Sequence, residues 1–175
     1  MAQETSSQAS SVKPTERSQW QFVGQPPRVL FLCKGNSARS QMAEALVNVL
    51  SQGQVQAFSA GSHPAAQVHP YAIAAIARLG ADLSQHVPKH IDTFAGQSFD
   101  RVVILCDREE DECPIWLGSP QAIQWSYPDP SAVEGTEKEQ QRAFDQLAAQ
   151  LNLRTRLFLT LLEREQKEAL FKQEQ

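Results

Sequence analysis

The sequence predicts a single α/β domain built on a four-stranded, doubly wound parallel sheet with helices on both faces. Three observations lead there. RVLFLC over residues 28–33 and RVVIL over residues 101–105 are short continuous apolar runs, the pattern of strands covered on both sides. Segments between such runs carry apolar residues at helical spacing, and strands alternating with helices imply a parallel sheet. The chain has 175 residues, enough for one sizeable core and few for two.

The elements follow in order. Residues 1–25 are rich in Gln, Ser, Thr and charge, with little apolar material to offset the entropy of ordering them. A flexible tail is expected there, with Trp20 and Phe22 able to dock on the edge of a domain spanning residues 26–170. After Pro26-Pro27, RVLFLC is the first strand. Met42, Ala43, Leu46, Val49 and Leu50 then fall at helical spacing from Ser40 onward, and Gly53 provides the stop. QVQAFSAG reads as the second strand. His69-Pro70 opens a helix through Ile73, Ile76 and Leu79 that ends at Gly80. Asp100 leads into the third strand, which runs to Cys106, and QAIQWSY supplies a less apolar fourth. Phe144, Leu147, Leu151, Phe158 and Leu161 form one stripe of a long C-terminal helix.

Composition narrows the functions to consider. A net charge of -4 gives no general attraction to nucleic acid or anionic membrane. No apolar run approaches the ~20 residues of a membrane span, and the first 25 residues lack the apolar stretch of a signal peptide. A cytoplasmic monomer with no nucleic-acid or membrane partner is expected. Three cysteines are an odd number and too few for a secreted disulfide scaffold, which leaves buried, metal-binding or catalytic roles. In a doubly wound domain the ligand site lies at the carboxyl ends of the strands. Cys33 ends the first strand and Cys106 the third, so the two can share one crevice.

The segment Cys33-Lys34-Gly35-Asn36-Ser37-Ala38-Arg39-Ser40 stands between a buried strand and a helix start. A loop wrapping into a helix N-terminus aims backbone N–H groups at one point, where an oxyanion is favoured. Arg39 can add a fork of two donors. The same field favours a thiolate, which makes Cys33 the candidate nucleophile, and Ser40 can donate a hydrogen bond to it. Gly35 and Asn36 are residue types that tolerate the left-handed backbone of a tight cradle. A bare C-x5-R pattern would more often mark a structural cysteine; the strand before and helix after favour an anion loop. Neither G-x-G-x-x-G nor G-x4-G-K-[ST] occurs.

VLFLCKGNSARSQMAEAL resembles the signature of the low-molecular-weight protein tyrosine phosphatase superfamily, which includes a branch of arsenate reductases. The similarity runs from Arg28 to about Leu162 and implies a low-molecular-weight phosphatase-like fold. It implies Cys33 as nucleophile, Arg39 as oxyanion clamp, and Lys34, Gly35, Asn36, Ser37 and Ala38, with Arg39 and Ser40, as the substrate-binding loop. A thiolate displacing oxygen from a tetrahedral oxyanion needs a proton donor for the leaving group. Asp129, in Tyr127-Pro128-Asp129-Pro130, would by itself read as a turn aspartate. Members of the family carry an Asp-Pro general acid at the corresponding place, which gives Asp129 that role.

Cys106 and Cys113 lie seven positions apart in LCDREEDECPIW. A phosphatase needs neither. A reductase must deliver two electrons, and three cysteines can do so by thiol–disulfide exchange if the middle sulfur reaches both others. A loop of this length can bring the Cα atoms within the ~7 Å that a disulfide requires, which implies a moving loop. Zinc is not expected, because no C-x2-C pair or nearby His is present; two buried structural cysteines are the plain alternative. The pair followed by Pro114 resembles the thioredoxin-coupled arsenate reductases more than the glutaredoxin-dependent branch. That resemblance implies an arsenate or phosphate-like oxyanion as ligand, thioredoxin as external reductant and no bound cofactor. Related reductases can also bind potassium through side chains that map onto Asn36, Glu44, Ser59 and a later acidic residue. Here the last position is Lys89, whose ammonium would stand in for the cation unless it is simply an exposed lysine. The rival activities are phosphomonoester hydrolysis through a phospho-Cys33 intermediate, and anion binding without turnover.

Overall fold

The computed structural model describes residues 18–107, 109–118 and 120–175. Among them the order is β1 (Arg28–Cys33), α1 (Arg39–Leu50), β2 (Gln56–Gly61), α2 (Pro70–Ala77), a 3-10 turn over Ile91–Phe94, β3 (Arg101–Cys106), β4 (Ile123–Tyr127), a second 3-10 turn over Pro130–Ala132, and α3 (Glu137–Gln173). The four strands form one sheet in the order β2-β1-β3-β4, and every neighbouring pair is parallel. The chain leaves β1 toward β2 on one side and crosses back to β3 on the other. That reversal opens a crevice at the carboxyl ends of β1 and β3.

The apolar runs become strands because both of their faces are covered. Val29, Phe31 and Cys33 point into a large core with Met42 and Leu46 of α1, Ile76 of α2 and Phe144 and Leu151 of α3. Leu30 and Leu32 point the other way, onto Phe94, Phe99 and Val102. The two faces are unequal. All three α-helices belong to the first core, whereas the second face is covered by the segment bearing the 3-10 turn, whose Phe94 and Phe99 meet Phe58 edge to face.

The helix signals act where they stand. Gly53 and Gly80 adopt left-handed φ values of 77° and 84° just past α1 and α2. Pro70 occupies the first turn of α2, capped by His69. Thr136 and Glu139 form a reciprocal capping box on α3. With 37 residues that helix is about 55 Å long and runs past residue 170.

One expectation needs correction. The buried side of α3 is formed by Phe144, Leu147, Ala148, Leu151, Thr155, Leu159 and Leu162, while Leu161 is exposed; the stripe turns slightly around so long a helix. Residues 1–17 of the expected tail lie outside the described residues, but residues 18–25 rest on the domain. Trp20 is 3% exposed and donates its indole N–H to Thr160 Oγ1 at 3.1 Å. The N–H groups of Gln21 and Val23 donate to Glu163 and Gln166 of α3. Among the described residues no helix is long and apolar enough to cross a membrane.

Candidate active site

Strand β1 delivers Cys33, 2% exposed, to the start of the loop over residues 34–38. Helix α1 begins at Arg39 without a side-chain cap at Ala38 and without an acidic residue in its first turn. Its leading N–H groups therefore keep their capacity to donate to an anion.

Asn36 organises the loop. It is the left-handed residue, with φ 46°, and it is fully buried. Its Nδ2 donates to Ser40 Oγ at 2.8 Å and Ser59 Oγ at 2.9 Å. Its Oδ1 accepts from Gln41 Nε2 at 3.0 Å and from the Lys89 backbone N–H at 2.8 Å. Every polar valence of the amide is used, which offsets the cost of the backbone conformation. Gly35, expected to share this conformation, does not have a positive φ.

Ser40 Oγ lies 2.8 Å from Cys33 Sγ. Because Ser40 accepts from Asn36, its own hydroxyl proton is free to point at the sulfur, where it stabilises a thiolate. Gly61, at the end of β2, was not singled out by its sequence context. A Cβ there would stand 2.4 Å from Lys34 O and 2.9 Å from Asn36 N, so only glycine lets β2 support the cradle this closely.

Arg39 is 3% exposed. Burial opposes its charge, but hydrogen bonding to Glu110 and the charges of Cys33, Asp129 and Glu110 outweigh that and hold its pKa above the ordinary value. Asp129 uses Oδ1 as the turn residue its sequence suggested, accepting from the Ser131 N–H at 2.9 Å and hydroxyl at 2.7 Å. Its Oδ2 stands 3.6 Å from Arg39 Nη2. Cys33, Gly35, Ser37, Ala38, Arg39, His69, Asp129 and Ser131 together line a cavity of about 40 Å³. The nucleophile, clamp and acid candidates thus face one small space.

His69, whose place before Pro70 marks a helix start, also lines this cavity. Its ring stacks on Phe144 with centroids 4.4 Å apart, and Nδ1 accepts from the Tyr71 N–H at 3.1 Å. Burial lowers its pKa, against an opposing effect of Asp129. In the neutral ring the proton must then sit on Nε2.

Cys106 and Cys113 are joined in a disulfide with Cα atoms 6.0 Å apart, while Cys33 is free. Leu32 pairs with Ile104 across β1 and β3, so Cys106 stands one step beyond the level of Cys33 on the neighbouring strand. Cys106 is fully buried and Cys113 only partly so.

The intervening loop reaches back to the cradle. Glu110 grips Arg39 with both carboxylate oxygens, at 2.5 Å and 2.7 Å. Glu112, left-handed at φ 63°, pairs with Lys34 at 2.7 Å, and its carbonyl accepts from Ser62 Oγ. The hydrogen bond between Lys34 and Glu112 raises the pKa of the one and lowers that of the other.

Beneath the loop, Glu44 is buried and accepts from Ser59 Oγ. Lys89 Nζ lies 3.9 Å from Glu44 Oε2 and donates to Val87 O at 3.3 Å. Asn36, Glu44, Ser59 and Lys89 are therefore assembled in one place. Among the described residues no group of three or more His, Cys, Asp or Glu is arranged to hold a metal.

Comparison with known proteins follows the same lines. The profile of the family described as low molecular weight phosphotyrosine protein phosphatase matches residues 28–168. An arsenate reductase of Halalkalibacterium halodurans is 34% identical over 130 residues, 74% of this chain and 93% of the relative. A glutaredoxin arsenate reductase of Synechocystis sp. is 35% identical over 103 residues, 59% of this chain and 78% of the relative. The structure of a thioredoxin-dependent arsenate reductase of Corynebacterium glutamicum superimposes with a TM-score of 0.60 at 28% identity, covering 82% of this chain and 66% of that one.

Proposed function

The chain belongs to the low molecular weight phosphotyrosine protein phosphatase family, and from that footing we propose that it reduces arsenate to arsenite, with Cys33 as nucleophile and Cys106 and Cys113 as an internal relay. One observation carries the reading beyond phosphate chemistry: Cys33 is free beside a closed Cys106–Cys113 disulfide. That arrangement is what one turnover of a three-cysteine relay would leave.

Arsenate is bound by the loop over residues 34–38, the first turn of α1 and Arg39. The Cys33 thiolate attacks arsenic, and Asp129 protonates an oxygen that leaves as water. Cys106, as thiolate, attacks Cys33 sulfur; the S–As bonding pair stays on arsenic, which departs as arsenite, and a Cys33–Cys106 disulfide forms. Cys113 attacks Cys106 sulfur and returns Cys33 to thiolate. The two electrons are replaced when an external dithiol reduces the Cys106–Cys113 bond. Thioredoxin is the proposed donor, supported by the likeness to a thioredoxin-dependent reductase. Because these parts all come from one chain, we assign the reaction to a monomer. A reducing cytoplasm, with no nucleic-acid or membrane partner, is the setting that fits free thiols.

The residues around Glu44 do not suit a bound potassium ion, because an ammonium already faces that carboxylate. We propose that Lys89 provides the positive charge permanently, and no step passes through a metal.

A panel of cysteine variants tests the reading. Cys33→Ser should abolish both arsenate reduction and aryl phosphate hydrolysis. Cys106→Ser should keep the hydrolysis and release no arsenite by the internal route. Cys113→Ser, supplied with thioredoxin, should release about one arsenite per protein and stall as a Cys33–Cys106 disulfide, identified by peptide mass. Sustained turnover by both Cys106→Ser and Cys113→Ser would refute the relay. Aryl phosphate hydrolysis without arsenate reduction in the parent protein would make it a phosphatase, and phosphate binding with neither activity an anion-binding protein.

A further inference from the structure

The Arg39 guanidinium is already committed in the disulfide form. Its Nη1 donates to Glu110 Oε2 at 2.5 Å and Tyr127 O at 3.0 Å, and its Nη2 to Glu110 Oε1 at 2.7 Å. Two parallel charge-assisted bonds to a planar carboxylate are the same contacts that a tetrahedral oxyanion would make with this clamp. The pair is largely sheltered, Arg39 at 3% and Glu110 at 18% side-chain exposure, so solvent screens it less than a surface pair.

Glu110 is held there by its own loop. Cys106 and Cys113 close the loop at its two ends. Glu112 anchors it to Lys34 of the cradle and to Ser62 just past β2. The Glu110 N–H bonds to Asp107 O at 3.1 Å and makes the turn that presents the side chain. Breaking the disulfide frees Cys113 from buried Cys106 and removes the covalent tie that keeps this turn over the crevice.

We infer that Glu110 is an internal competitor for the oxyanion site, delivered to Arg39 when the relay is oxidised and withdrawn when it is reduced, so that it sets which redox form of the protein takes up substrate. This rests on the proposal that Cys33 and Arg39 form the oxyanion cradle. The chemistry gives the contact a purpose. A Cys33 adduct formed while Cys106 and Cys113 are joined to one another has no internal thiol to release it, and the protein would stall. A carboxylate from the oxidised loop keeps the clamp from recruiting substrate until electrons have arrived.

The test uses the full-length protein prepared in two forms, fully reduced and wholly in the Cys106–Cys113 disulfide form as checked by intact mass. Inorganic phosphate is the probe, and protection of the Cys33 peptide from iodoacetamide, read by mass spectrometry, reports its binding. In the parent the phosphate concentration giving half protection should be at least about tenfold higher for the disulfide form, the scale of one lost charge-assisted fork. In Glu110→Gln and Glu110→Ala the ratio between the two forms should fall to about two or below. A parent ratio near one, or a ratio that both variants leave unchanged, would overturn the inference. Failure of phosphate to protect Cys33 in the reduced parent would instead remove the cradle on which it stands.

Discussion

Ser40 Oγ and Cys33 Sγ are 2.8 Å apart, and the donation by Asn36 to the same oxygen decides the direction of that bond. The sulfur receives a proton donor that is itself held by a buried amide. Ser40→Ala should slow both attack by Cys33 and its later departure as a leaving group. A loss of about 10²-fold in single-turnover rate is expected, comparable to removing one preorganised donor from other anion-stabilising sites. The variant should also lose roughly 1–3 kcal/mol of stability, because one Asn36 donor remains buried with a partner missing. Rapid-quench measurement of arsenite release and urea unfolding check the two effects separately.

Asp129→Asn keeps an oxygen able to accept from Ser131, so the turn should survive. What disappears is the ability to give up a proton. Turnover of arsenate and of an aryl phosphate should fall alike, by about 10² to 10⁴-fold, with little change in phosphate protection of Cys33. Unaltered rates would leave Asp129 with its turn role alone.

Lys89 facing Glu44 should make turnover indifferent to replacing potassium by sodium at constant ionic strength. Lys89→Asp, which places two carboxylates together, should introduce a dependence on the cation. A strong potassium effect in the parent would contradict the assignment of a permanent charge.

The neutral form of His69 is favoured in the folded protein, since burial lowers its pKa below the ordinary 6.5. The unfolded chain therefore takes up this proton first as pH falls. The stability that His69 contributes is complete above pH 6.5 and is lost as the pH drops through its folded value. His69→Asn retains a capping side chain without titrating in this range. Urea unfolding at pH 7.5 and pH 5.5 should show the parent losing stability relative to the variant on the acid side; parallel losses would place the titration elsewhere.

Much of the fold could be read from local pattern. RVLFLC and RVVIL are strands because each buries both faces, a property written in consecutive residues. The loop from Cys33 to Ser40 could likewise be found from a strand, a short span and a helix start. Residues whose partners are remote in sequence were harder to foresee. Glu110 meets Arg39 across 71 positions and Trp20 meets Thr160 across 140, and nothing in the neighbourhood of either residue specifies those meetings. Acidic residues in a polar loop look like solvated charge, and a lone tryptophan in a polar stretch looks peripheral. The displaced stripe on α3 has a related cause: local spacing locates an apolar side, but packing against the sheet and the N-terminal segment chooses which residues of that side are covered.

In the proposed relay, the graded burial of the three sulfurs, from partly exposed Cys113 to enclosed Cys106 and Cys33, would separate the entrances for electrons and substrate. A bulky dithiol protein can act at the rim without entering the crevice, and a small anion takes the crevice once that exchange has reduced the relay. Reductants too large for the cavity can then sustain turnover, and large thiol reagents should modify the rim before they inactivate the nucleophile.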